Sequence, residues 1–336
     1  MDISMISLYA DMDKDYFLKK IEDPWVKLLL ELQNELNYAT YAFFRERGIP
    51  TIHLPVTTGS ISSPMGLGSD SLPVQVDLFG IKTYLADSMQ FFLEYGCRFM
   101  DKGCFYIMPS FRGEAADERH LCQFYHSEAE IPGKFPQVKV LVEEYIRYLS
   151  QWMLDKLSDK INKIVGTTEH LHQMAKREFF PTVDYDEAVL ALMECDGCLQ
   201  ENELGTKNIT ALGEKELIRR HGGVVWLCNM DERLVPFYQV SDRKGHAICG
   251  DLLFGIGEVV GSGQRCTTEE ELLASLTRHQ VEPEDYDWYI RMKKHYPLQT
   301  SGFGMGTERF LLWVLNHNDI RDCQLISRMN GREEYI

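Results

Sequence analysis

Residues 111–130 read FRGEAADERHLCQFYHSEAE. Strand-like runs across 104–131 flank a charged middle, GEAADERH, so two antiparallel strands joined by a long polar turn are expected. On such a unit Arg112 and Glu114 share one face by the two-residue period, and Phe124 and Glu128 share a face on the return strand. A guanidinium, a carboxylate and an aromatic ring on one surface suit a nucleotide phosphate, an adenine amino group and an adenine ring. A salt-bridged hairpin with one core Phe fits the same residues.

Two further stretches extend the pattern. Residues 301–309, SGFGMGTER, open an apolar helix. Glycines at 302, 304 and 306 leave room for a ligand against the backbone, and Arg309 lies one turn into the helix, within reach of a purine or a distal phosphate. A tight strand-to-helix turn is the plainer reading. Asp251, Glu258 and Arg265 follow one another at seven-residue steps. Two carboxylates on neighbouring strands suit Mg²⁺ beside a triphosphate, while solvated sheet-edge charge would explain either one alone.

The rest of the chain supplies the frame. Asp23-Pro24 has the form of a helix N-cap followed by Pro at the first helical position. Trp25, Leu28, Leu29, Leu32, Leu36, Ala39 and Phe43 then recur at helical spacing up to Gly48. Residues 49–57 suggest an edge or bent strand, 58–73 a mobile loop, and 74–86 a hairpin turning at Phe79-Gly80. Helices are expected over 88–101, 136–164, 167–178, 268–280 and 284–295, and after the glycines. Short strands are expected in VVWLCN, VPFYQV, HAICGDLLF and GEVVGSG, between 223 and 263. The fold class is therefore α+β around an antiparallel sheet flanked by helices.

Composition bounds the partners. The chain has 336 residues, 44% of them hydrophobic, and a formal charge of −16, which is globular rather than disordered. That charge opposes a broad nucleic-acid footprint but leaves room for a local basic pocket. Residues 1–15 lack the basic and apolar regions of a signal peptide, and no apolar run is long enough to span a membrane. Nine scattered cysteines suggest reduced thiols and a cytoplasmic protein. Cys195 and Cys198 have zinc-knuckle spacing without a second pair nearby, so free thiols are expected there.

Together these motifs resemble the catalytic domain of class II aminoacyl-tRNA synthetases, in the aspartyl/asparaginyl branch. Gly48-x6-Pro55 after the long helix resembles motif 1, the dimer-interface element. FRGE…RHLCQFYHSEAE resembles motif 2, and GFGMGTERFLL resembles motif 3. Asp251 through Arg265 resembles that branch's metal and side-chain-reading segment. The resemblance covers about residues 20–330. It implies an N-terminal extension over 1–22 and a catalytic domain over 23–336, with 131–222 a helical insertion region.

The resemblance also implies roles. Arg112 would grip the ATP α-phosphate and the reacting carboxylate, Glu114 would read the adenine amino group, and Phe124 would stack on the ring. Arg119, His120 and Arg309 would contact the outer phosphates, with Leu121 and Gly306 also at the nucleotide. Asp251 and Glu258 would hold Mg²⁺. Ser88, Gln90, Glu94, Glu128 and Gly302 would bind the amino acid, and Arg265 its far end. Arg112, Arg265 and Arg309 are the expected catalytic cations.

Three local departures and one of length refine this. Met65-Gly66 replaces a Glu-Gly pair that helps read the amino group, Leu93 replaces the side-chain-reading Lys of aspartyl enzymes, and Leu298 to Ser301 replaces a Pro-His-Gly-Gly run. Only about 20 residues precede the first helix, where tRNA-charging relatives carry an anticodon-binding barrel. The expectation is a homodimeric, AMP-forming ligase like the barrel-less archaeal-type asparagine synthetases. It would adenylate the side-chain carboxylate of aspartate or a close analogue and pass the acyl group to ammonia or a small amine, without stable tRNA binding. The alternative is transfer to tRNA, protein or a natural-product acceptor. A non-catalytic amino-acid sensor is a further alternative, against which Arg112, Arg309, Asp251 and Glu258 speak.

Overall fold

Asp23 caps the long helix as its sequence suggests: the side chain accepts from the Trp25 amide at 2.8 Å, and Pro24 follows at the first helical position. The computed structural model describes residues 16–63, 71–202, 205–242 and 244–328. In chain order it contains α1 (Tyr16–Ile21), α2 (Pro24–Glu46), β1 (Thr57–Thr58), β2 (Val74–Leu78), β3 (Ile81–Leu85), α3 (Gln90–Gly96), β4 (Cys104–Phe111) and β5 (Gln123–Pro132). There follow α4 (Phe135–Val165), α5 (Glu169–Ala175), β6 (Thr182–Asp184), α6 (Tyr185–Leu192), β7 (Leu199–Glu201), β8 (Lys207–Ile209), α7 (Ala211–Arg220) and β9 (Val224–Cys228). The chain continues through β10 (Cys249–Phe254), β11 (Gly257–Gln264), α8 (Glu269–His279), α9 (Asp287–His295), β12 (Thr300–Gly306) and α10 (Thr307–Val314).

A seven-stranded sheet runs β4-β5-β12-β11-β10-β9-β6, antiparallel except for the parallel β6–β9 pair. One face is apolar. Phe105, Ala129, Phe303 and Met305 meet the buried stripes of α2 and α4, including Leu32, Phe43, Phe44, Tyr145 and Leu149. The pleat turns the alternate residues to the other face, so a dry core on one side leaves a polar floor on the other. Across that floor, register aligns Tyr106, Glu128, Gly304, Gly261 and Asp251 on adjacent strands.

Several expectations need correction. The glycines at 302–306 form a central strand, β12, because both neighbours hydrogen-bond along it. Residues 235–240 form no strand; an isolated bridge joins Gln239 to Arg265. Strand β4 ends at Phe111, so Arg112 and Glu114 lie on the loop beyond it. Residues 131–222 hold strands β6 to β8 as well as helices, and β6 joins the main sheet. Cys195 and Cys198 are joined as a disulfide, not free. Residues 64–70 of the 58–73 loop, Met65 included, and residues 1–15 of the N-terminal extension lie outside the described residues. No described helix is long and apolar enough to cross a membrane.

Candidate active site

Two cavities open on the polar face, of about 290 Å³ and about 110 Å³. Arg112, His126, Glu258 and Gly304 line both, which makes them two halves of one site.

The smaller half is lined by Arg119, His120, Leu121, Phe124, Gly306 and Arg309. Arg112 lies over the Phe124 ring at 5.5 Å, and its buried Nε has no hydrogen-bond partner among the described residues. A buried donor that the described residues leave open suits an acceptor on a bound ligand. Asp117 shapes the intervening turn by accepting the Arg119 and His120 amides, each at 2.7 Å, and the His120 ring at 2.9 Å. Arg119 pairs with Glu214 of α7 at 2.7 Å. Arg309 donates to the Glu258 carbonyl at 2.6 Å. Its proton affinity is lowered, because burial and the other guanidiniums Arg112 and Arg119 outweigh Glu258 and Glu214. Glu114 accepts from the Leu72 amide at 3.1 Å, while its buried Oε2 has no partner among the described residues.

Asp251 and Glu258 lie on the paired strands β10 and β11. A side chain at Gly261 would intrude between them, 2.7 Å from Glu258 Oε1 and 3.6 Å from Asp251 Oδ1. Burial, then Glu258 and Glu214, push the Asp251 carboxyl well above its ordinary range. Among the described residues no cluster of three or more acidic, His or Cys ligands forms a protein-only cage. Two hard carboxylates beside a phosphate-sized cavity nevertheless suit Mg²⁺, which takes its remaining ligands from phosphate and water.

The larger half is lined by Ser88, Gln90, Glu128, Glu130, Tyr238 and Arg265, among others. Glu128 accepts from Ser88 Oγ at 2.6 Å and from the Tyr106 hydroxyl, and His126 stands 3.0 Å away. Burial pushes its carboxyl up, but His126, Ser88 and Tyr106 outweigh that and hold it below its ordinary value. At the far end Arg265 meets Glu130 at 3.1 Å, both side chains buried. Burial and nearby Glu94, against the pull of Arg265, push the Glu130 carboxyl up to about 7.

Two expected substrate contacts fall elsewhere. Glu94 is sealed behind the cavity, bound to Lys293 and, at 2.7 Å, to the Tyr289 hydroxyl. Gly302 faces Glu130, whose Oε2 would overlap any Cβ there, so this glycine makes room for a side chain rather than for a ligand. Sequence reasoning missed His126, although the alternation that picked out Phe124 and Glu128 also includes it. It missed Tyr106, Glu214 and Lys293 as well. Lys293 is a second buried cation near the far end, where Arg265 alone was expected.

Floor strands, paired carboxylates and a bipartite cavity define a class II synthetase-type domain. Comparison with known proteins agrees. The family described as tRNA synthetases class II (D, K and N) matches residues 11–330, and the chain belongs to it. It is similar to an asparagine–tRNA ligase of Koribacter versatilis, 27% identical over 319 residues covering 91% of this chain and 70% of the relative. A Lactococcus lactis asparagine–tRNA ligase is likewise 27% identical, over 90% of this chain and 68% of its own length. Among solved structures, asparaginyl-tRNA synthetase from Pyrococcus horikoshii complexed with asparaginyl-adenylate superposes with a TM-score of 0.85. It is 25% identical and covers 95% of this chain and 72% of that one. Relatives named as tRNA ligases lend no support to the expectation that this chain leaves tRNA unbound.

Proposed function

We propose that the protein uses ATP to adenylate the α-carboxylate of asparagine or a close analogue, releases pyrophosphate, and passes the acyl group to an amine or hydroxyl. The Arg265–Glu130 pair carries the reading of the substrate. It presents donors beside an acceptor and is formally neutral, which suits an amide better than a lone carboxylate. Ionised Glu128, with Ser88 and Gln90 near it, suits the ammonium group at the opposite end. The α-carboxylate then points toward Arg112 at the junction with the nucleotide half.

The chemistry follows from charge. A carboxylate must approach an anionic phosphate, so Arg112 offsets their repulsion and stabilises the charge that builds on the α-phosphate. Phe124 holds the adenine ring, and Arg119, His120 and Arg309 receive the outer phosphates. Asp251 and Glu258 would hold Mg²⁺, which when bound screens the phosphate charges.

A second reading keeps the aspartate amidation expected from sequence. If the amino acid turns end for end, Arg265 takes its α-carboxylate, Glu130 its ammonium, and Arg112 the β-carboxylate, with ammonia as acceptor. The same buried pair favours it. Hydroxylamine trapping separates the two. Asparagine, ATP and hydroxylamine should give an α-hydroxamate with AMP and pyrophosphate. A β-hydroxamate formed from aspartate alone would replace the first reading with the second.

A further inference from the structure

His126 is the site-face residue to which neither the family resemblance nor the adenylation step gives work. It lines both cavities at their junction, beside Arg112. Its Nδ1 lies 3.0 Å from Glu128 Oε1 and 2.8 Å from Ser110 Oγ. An ionised carboxylate only accepts, so Nδ1 carries the proton, and in the neutral ring the lone pair sits on Nε2. Nε2 makes no hydrogen bond among the described residues. The Phe124 ring meets the imidazole edge-on at 4.7 Å and fixes its plane.

We infer that His126 is the general base of acyl transfer, taking the proton of the amine or hydroxyl that attacks the acyl-adenylate. The inference rests on the adenylation reading above. Nucleophile and carbonyl carbon form the new bond, the bond from that carbon to the AMP phosphate oxygen breaks, and AMP leaves with the electron pair. The nucleophile's proton moves to Nε2. Competing groups are unsuited. Glu128 already accepts from Ser88, Tyr106 and His126, faces the substrate ammonium with what acceptor capacity remains, and is a weakened base. Glu94 is sealed from the cavity by Lys293 and Tyr289. Burial and Glu128 make the Tyr106 hydroxyl a reluctant acid, which keeps it a donor to that carboxylate.

The test compares the two half-reactions in the wild type, His126→Asn and His126→Gln. The Asn amide can keep the donor to Glu128 while removing the distal nitrogen. Asparagine-dependent exchange of pyrophosphate into ATP reads adenylation. Single-turnover discharge of the enzyme-held adenylate by hydroxylamine, ammonium chloride or bulk tRNA reads transfer. Discharge in the Asn variant should fall on the order of 10²-fold further than exchange. An equal fall of both steps in both variants, or unimpaired discharge, would overturn the assignment. Absence of exchange in the wild type would instead sink the adenylation reading on which it rests.

Discussion

Arg112 stands where the two cavities meet, with a buried Nε that no described residue satisfies. Its replacement by Ala should cost about 3 kcal/mol or more in the transition state, roughly a hundredfold or greater loss of pyrophosphate exchange. A loss below about tenfold would mean that the guanidinium does not serve the reacting anions. Glu130 makes a second prediction. Its carboxyl is pushed up to about 7 by burial and by Glu94, against Arg265. A raised carboxylate contributes stability on the acid side, and that contribution is lost as pH rises through about 7. On the acid side of that value Glu130 gains a proton, the pair becomes cationic, and a side-chain carboxylate is better tolerated. The preference for asparagine over aspartate in kcat/KM should therefore shrink as pH falls through about 7. Glu130→Gln should lose that pH dependence; a preference that stays constant with pH in the wild type would refute the assignment.

The elements that hold these residues were legible in unequal measure. Helix α2 and the β2–β3 hairpin announce themselves through local period and turn chemistry. So do β4 and β5, because their alternation is set within one stretch of chain. The glycines of β12 misled, since alternate Gly reads as a turn until neighbouring strands are known to pair on both sides. Glu94 was legible only as a substrate contact, because its partner Lys293 lies 199 residues away on α9 and no local rule joins them. That pair now ties α9 to α3. Lys293→Met would leave Glu94 buried without its cation, and a loss of about 3–5 kcal/mol is expected in urea unfolding. A midpoint within error of wild type would show that Glu94 finds another partner or takes up a proton at little cost.

At the scale of the whole molecule, α2 leaves Leu30, Tyr38 and Tyr41 exposed although its other face is buried in the core. A cavity of about 420 Å³ beside it is lined by Gln33, Asn37, Tyr41 and Tyr125. These support the homodimer expected from motif 1. Sedimentation should give a dimer mass at micromolar protein, and Tyr38→Glu with Tyr41→Glu should shift it toward monomer; a monomer with full activity would exclude that interface. The net charge of −16 makes any capture of a polyanion depend on local cations such as Arg112, Arg119 and Arg309. Every role proposed for these residues depends on AMP-forming activation of an amino acid at the junction of the two cavities. Exchange of labelled pyrophosphate into ATP, measured with each amino acid in turn, tests it most directly. Asparagine or a close analogue should drive the exchange, and the split products should be AMP and pyrophosphate. Cleavage to ADP and phosphate, or no amino-acid-dependent exchange, would contradict it.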